Sequence, residues 1–276
     1  MLVFLSYPKS GRTWVRFMVN SYWCRLHGLS VTNVFEAEKH ATAPCRVEWT
    51  HLSAAMLMRR HYWEMGPFDL GPARSWPWLL LVRNFYATMA SAYHQARDRI
   101  RVFDGPPGAF LRSPRYGVVK LVTFYNLWEQ LKTQVPNHQV LCYEQLVADP
   151  VSALRRIVEA MGLPLRGDLV QGVAAEASFE NMKRLSTTAD YAGTVLAPKD
   201  PADPNTYKVR KGGGGGFDQL FNDEDLAYID GIVDALLVKA DAEEYQACRG
   251  APGGGGAEGG AGAGAASTRM VISEVQ

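Results

Sequence analysis

The chain has 276 residues, enough for one large domain or two small ones with a full core. Its 29 Lys and Arg nearly balance 28 Asp and Glu, leaving a net charge of +1. This argues against an overall attraction to nucleic acid or membranes, so any anion site must come from local clustering. Cys24, Cys45, Cys142 and Cys248 lie far apart with no CxxC pair and mostly in apolar runs. They read as reduced, buried thiols rather than disulfides or metal ligands. There is no basic-then-apolar leader, and no window approaches the roughly 18 apolar residues of a membrane span. The expectation is a soluble cytoplasmic protein, although a strand beginning at residue 2 leaves room for a segment upstream.

Taken in order, Leu2–Ser6 is an apolar run of strand length, and an amphipathic helix follows over about Arg12–Leu26. Residues 28–78 are mixed, with a short strand around Arg46–Thr50 and a helix around Ser53–Arg60. Trp78–Val82 is a strand ending in Arg83-Asn84, after which the pattern is helical to about Arg99. Pro106-Pro107-Gly108 and Ser113-Pro114 mark a loop. Helical spacing returns from Tyr116 to Gln134, followed by a strand at His138–Tyr143. A further helix spans Pro150–Met161, stopped by Gly162 with Pro164 beyond it. Strands alternating with helices predict an α/β fold, a central mostly parallel sheet flanked by helices on both faces. Such sheets bind ligands at the carboxyl ends of their strands, where Tyr7–Thr13, Arg83 and Tyr143 fall. Gly250 to Ala266 is almost only Gly and Ala, so residues 249–276 read as a disordered tail behind a domain of residues 1–248.

The segment Tyr7-Pro8-Lys9-Ser10-Gly11-Arg12-Thr13-Trp14 joins the first strand to the first helix. Helix-start amides point outward at a positive dipole end, Lys9 adds a charge, and Ser10 and Thr13 add hydroxyls. The turn is built like a site for phosphate or a phosphate-like group. It is not an ordinary nucleotide-triphosphate loop, because its lysine precedes the only glycine instead of following a second one. The segment resembles YPKSGTTW, the 5′-phosphosulfate loop of the sulfotransferases that use 3′-phosphoadenosine 5′-phosphosulfate (PAPS).

Four further segments resemble that family in the same order. RNFYATMASAYH matches its 3′-phosphate segment, which implies that Arg83 and, eight residues on, Ser91 hold that phosphate. A guanidinium grips phosphate oxygens bidentately and a hydroxyl adds a donor. RKGGGGGFDQLF resembles the glycine-rich segment that closes over the nucleotide, implying Arg210, Lys211 and Gly212 on the opposite side. The resemblance makes Trp14 a stacking residue, and it adds Tyr143 of YEQLVADP and Phe179 of ASFENMKR to the adenine site. The expected nucleotide-binding set is then Lys9, Ser10, Gly11, Arg12, Thr13, Trp14, Arg83, Ser91, Tyr143, Phe179, Arg210, Lys211 and Gly212.

The stretch W-T-H-L resembles K-T-H-L-P, whose histidine is the general base, and this points to His51. His94 is the competing base. The implied reaction moves a sulfuryl group from PAPS to a small-molecule hydroxyl or amine acceptor. In it His51 takes the acceptor proton, Lys9 stabilises the leaving oxygen, and Ser91 restrains Lys9. No Walker-type aspartate and no cluster with metal-ligand spacing stands out, so no metal is expected, and no nucleic acid either. Trp49 stands where the family has lysine, and Ala177 where it has threonine. Asp218, Asn222, Asp223 and Ala227 replace its dimer motif, so a monomer is expected. Two alternatives stay open, a non-catalytic PAPS-binding protein and a P-loop kinase-like phosphotransferase.

Overall fold

The structure, a computed structural model, describes residues 1–39, 47–66, 68–135, 137–208 and 216–238. Arg210, Lys211, Gly212, Cys45, Cys248 and the tail at 249–276 lie outside the described residues.

Four parallel strands form the sheet in the order β2-β1-β3-β4: β1 (Leu2–Ser6), β2 (Val47–Thr50), β3 (Trp78–Val82) and β4 (His138–Cys142). Unbroken apolar runs make β1 and β3 because both faces are covered, so alternate residues enter two different cores. Val3, Leu5, Leu80 and Val82 join one core, with α2 (Phe85–His94), α3 (Pro107–Leu111), α4 (Val118–Lys132) and α9 (Asp223–Leu236). Leu2, Phe4, Leu79 and Leu81 join the other, with α1 (Arg12–Leu26), α6 (Pro150–Ala160) and α7 (Gly167–Glu176). The short α5 (Tyr143–Ala148) and α8 (Phe179–Leu185) border this second core through Leu146 and Met182. Cys24 and Cys142 are buried and outside any disulfide, and the Cys142 thiol donates to Glu144 at 3.1 Å.

Several boundaries differ from the sequence reading. The helix expected over Ser53–Arg60 is instead two separate 3-10 turns, Leu52–Ala54 and Met56–Met58. The Thr50 hydroxyl accepts from the Leu52 amide, and Ala55 between the turns is extended (φ −53°, ψ 128°), which breaks the helical ladder. The helix after Arg83 ends its α geometry at His94 and continues as one π turn, Gln95–Arg99. The strand expected to include Tyr143 stops at Cys142, and Tyr143 opens α5. Part of the loop read at Pro106–Gly108 is the first turn of α3. Asn222 and Asp223, at the divergent dimer-motif positions, start α9, with Asn222 Oδ1 accepting from the Asp225 amide at 2.9 Å.

Candidate active site

All four strands end, at their carboxyl edge, on a residue of chemical interest. Past β1 the turn Tyr7–Gly11 reverses direction through two left-handed residues, Lys9 (φ +75°) and Gly11 (φ +106°), with fully buried Ser10 between them. Gly11 is the N-cap of α1 and offers no side-chain acceptor, so no side-chain cap occupies the first amides of the helix. Only glycine fits at this position, because a Cβ would stand 2.4 Å from the Tyr143 ring. Gly11→Ala is expected to cost about 1–3 kcal/mol of stability and to push Tyr143 off the loop, read as a lowered melting temperature.

Past β3, Arg83 Nη1 donates to the Lys9 carbonyl at 2.9 Å, and its guanidinium lies 4.5 Å from the Tyr143 ring centroid. Arg83 thereby pins the strained Lys9 backbone. Its Nε is buried with no hydrogen-bond partner, as is the Ser10 hydroxyl. Two buried donors beside an uncapped helix start suit a multiply charged anion, since leaving them unmet is costly. Past β4, Tyr143 meets Trp14 edge-on at 5.9 Å. Trp14 Nε1 donates to the Ala177 carbonyl at 2.7 Å, drawing the start of α1 to the α7–α8 junction, where half-buried Phe179 begins α8.

Past β2 stands His51, one residue beyond the last paired position, Leu5 with Thr50. Its Nδ1 lies 2.6 Å from the Ser6 carbonyl. A carbonyl only accepts, so Nδ1 carries the hydrogen and Nε2 is left with its lone pair. Burial pushes the His51 pKa down to about 3; Arg12 and then Lys208 add repulsion, and the Ser6 bond opposes them. His51 is therefore neutral at physiological pH. His94 differs, since its Nδ1 pairs with Asp98 at 2.8 Å.

Lys9 Nζ donates to Gln95 Oε1 at 3.4 Å, one turn beyond half-buried Ser91 along the same helical run. The π turn that carries Gln95 also carries Arg99, which donates to the carbonyls of Thr206 (2.5 Å), Ala197 (2.8 Å) and Val195 (3.1 Å). Arg99 thus straps residues 195–206 against this edge, two residues short of Lys208. Burial, Arg99 and Arg12 push the Lys208 pKa down to about 7. The sequence reading missed Ser6, Gln95, Arg99, Glu144 and Lys208. Lys208 had a signal, lying two residues before Arg210 in a basic run. Glu144, whose carboxylate accepts from the Asn84 amide at 3.0 Å, and Arg99 had none, because their partners are backbone groups remote in sequence.

The family model described as a sulfotransferase domain matches residues 2–241, which include every strand end just described. The chain belongs to the sulfotransferase domain family. Among curated relatives, Sulfotransferase 1C2 of Rattus norvegicus is 24% identical over 200 residues, covering 66% of this chain. That match spans 65% of the relative's own length. Among solved structures, mouse sulfotransferase SULT7A1 complexed with PAP has a TM-score of 0.63 and 23% identity, covering 87% of this chain and 86% of that one. Retinol dehydratase in complex with androsterone and the inactive cofactor PAP has a TM-score of 0.55 and 16% identity, covering 87% and 81%. The sulfotransferase fold therefore extends over most of the described chain. Among the described residues no helix is long and apolar enough to cross a membrane.

Proposed function

We propose that this family member transfers the sulfuryl group of PAPS to a hydroxyl or amine acceptor in the cytoplasm, acting as a monomer, with His51 as general base. The observation that carries the reading is the His51 tautomer. The imidazole is held by Ser6 with Nε2 as acceptor, beside the loop suited to the phosphosulfate. A base must be neutral before it can take a proton from the attacking group, and this one is held neutral with its Nε2 lone pair unprotonated.

Solved relatives complexed with PAP support binding of that nucleotide by this fold. The uncapped helix start with buried donors makes the loop between β1 and α1 the place proposed for it. Lys9, the Ser10 and Thr13 hydroxyls and the amides from Gly11 onward would meet its 5′ end, with Arg12 adjoining. Arg83 and Ser91 would meet the 3′-phosphate, joined by Arg210, Lys211 and Gly212. Trp14, Tyr143 and Phe179 would frame adenine. As the acceptor attacks sulfur, its proton passes to His51 Nε2, the sulfur–oxygen bond to the nucleotide breaks, and Lys9 neutralises the departing oxygen. Trp49 brings no cation to the sulfuryl end, because its ring packs 4.8 Å from Phe4 against the second core. Arg12 and Lys208, both close enough to act on His51, supply positive charge there instead.

The direct test is transfer of labelled sulfate from PAPS across a library of hydroxyl and amine compounds. Nucleotide selectivity gives a second result. PAP is expected to raise the melting temperature, with about 2.7 kcal/mol of stabilisation at a hundredfold excess over Kd. AMP and ATP, lacking the 3′-phosphate, should shift it far less. Equal shifts from AMP would remove the 3′-phosphate role of Arg83 and Ser91. Binding of PAP without transfer to any acceptor would favour a non-catalytic reading in which His51 is idle.

A further inference from the structure

Six residues past His51 the chain leaves the core and exposes what a globular surface ordinarily covers. Leu57 is 72% exposed, Met58 52% and Trp63 61%, all within seven consecutive residues. Scattered exposed apolar side chains need no explanation, but a rigid cluster does. This one is rigid. Ser53, Ala54, Met56 and Met65 are buried on either side of it and seat the segment against the core. The buried Lys120 ammonium donates to the Arg60 carbonyl at 2.8 Å, and the Tyr62 amide bonds to the Pro114 carbonyl at 2.9 Å.

Trp63 is stacked on the His61 imidazole, ring centroids 4.3 Å apart and planes 5° from parallel. His61 is itself braced from both nitrogens, donating through Nδ1 to Glu64 (2.8 Å) and accepting at Nε2 from Arg115 (3.1 Å). The indole is thus presented outward on a fixed platform. Around it Arg59, Arg60 and Arg115 are exposed, while the nearby carboxylate, Glu64, is tied to His61. An indole and two aliphatic side chains amid arginines match an anionic bilayer surface, where apolar groups enter the acyl boundary and guanidinium groups meet phosphates. A protein partner would be expected to supply carboxylates to the arginines, and a second copy of this cationic face repels the first.

We infer that residues 57–63, with Arg115, dock the protein on anionic phospholipid membranes and set the acceptor side of the domain, next to His51, at the lipid interface. The chain's near-neutral net charge does not oppose this, because the attraction is local and acts within a Debye length. The membrane contact itself is independent of the reaction proposed above, and only its placement on the acceptor side rests on that reading.

The test uses the full chain with phosphatidylcholine vesicles with or without phosphatidylserine, by flotation, with no nucleotide or acceptor present. Flotation is expected with the anionic vesicles, weakening as salt rises, and not with phosphatidylcholine alone. Combined Leu57→Ser, Met58→Ser and Trp63→Ser should lower partitioning about tenfold or more, and Arg59→Glu with Arg60→Glu likewise. Both sets should keep the wild-type melting temperature, since every replaced side chain is exposed. Brominated lipid should quench part of the wild-type fluorescence, and that part should be absent in Trp63→Phe. No flotation with anionic vesicles, or flotation that survives both sets, overturns the proposal. Self-association in sedimentation that the same variants abolish, without vesicle binding, would assign the patch to a second copy instead.

Discussion

Replacing His51 is expected to lower turnover by about 10²–10⁴-fold while nucleotide affinity stays within a small factor of wild type. The selectivity follows from the proposed positions, in which the imidazole would meet the acceptor and the loop at Lys9 to Thr13 would meet the nucleotide. Alanine alone would confound two effects, because it also deprives the Ser6 carbonyl of its donor. His51→Asn is the better variant: a side-chain amide can still donate to that carbonyl, yet it offers no basic nitrogen. If both variants lose turnover and His51→Asn keeps the melting temperature, loss of the base and not of the strut is responsible. If His51→Asn stays fully active on a genuine acceptor, the base is His94 or none.

The pH profile sharpens this. With its pKa lowered to about 3, His51 in the nucleotide-free protein keeps its lone pair well below the ordinary histidine range. Activity that needs the neutral form is lost only as pH falls through the folded-state value. The acid limb of kcat/KM for PAPS, which reports the free enzyme, should therefore lie far below the usual histidine pKa. Bound nucleotide brings negative charge towards Arg12 and Lys208 and so raises the His51 pKa. The acid limb of kcat should sit higher than that of kcat/KM. An acid limb that persists unchanged in His51→Asn would belong to another group. Lys208 adds a separate effect: with a pKa near 7 it gains charge as pH falls through neutrality, which should tighten nucleotide binding on the acid side.

What was legible in the sequence depended on how local its cause was. β1 and β3 were readable because each is an apolar run buried on both faces, and the turn between β1 and α1 because its lysine, glycine and hydroxyls sit within a few residues. The gathering of strand ends followed from parallel topology. The Ser53–Arg60 segment misled because Ala, Met, Leu and Arg all favour helix. Tertiary demands prevailed there, with Thr50 capturing the Leu52 amide, Met56 turning inward and Lys120 holding the Arg60 carbonyl. The resemblance pointed to Ser91 as the restraint on Lys9, whereas the bond from Lys9 Nζ to Gln95, one turn further along and on the π turn, had no signal in the sequence.

Lys9→Ala is expected to damage both steps, which separates it from His51. Its backbone is held in a left-handed conformation by Arg83, which bonds the carbonyl and not the side chain, so alanine leaves that anchor in place. What alanine removes is the ammonium group. A cation beside the phosphosulfate acts on its charge in the ground state, so nucleotide affinity should fall. It acts more strongly on the oxygen that gains charge as the sulfur bond breaks, so turnover should fall further, by about 10²–10³-fold. Gln95→Ala is the control: it removes one hydrogen-bond partner of Lys9 Nζ without removing the charge, and should change turnover by much less. Lys9→Arg keeps charge but brings a planar fork where a compact ammonium stood, and should recover affinity better than turnover. Loss of nucleotide affinity in Lys9→Ala with turnover at saturation untouched would make Lys9 a binding residue only. The charge on the leaving oxygen would then fall to the amides of the loop and to Arg12.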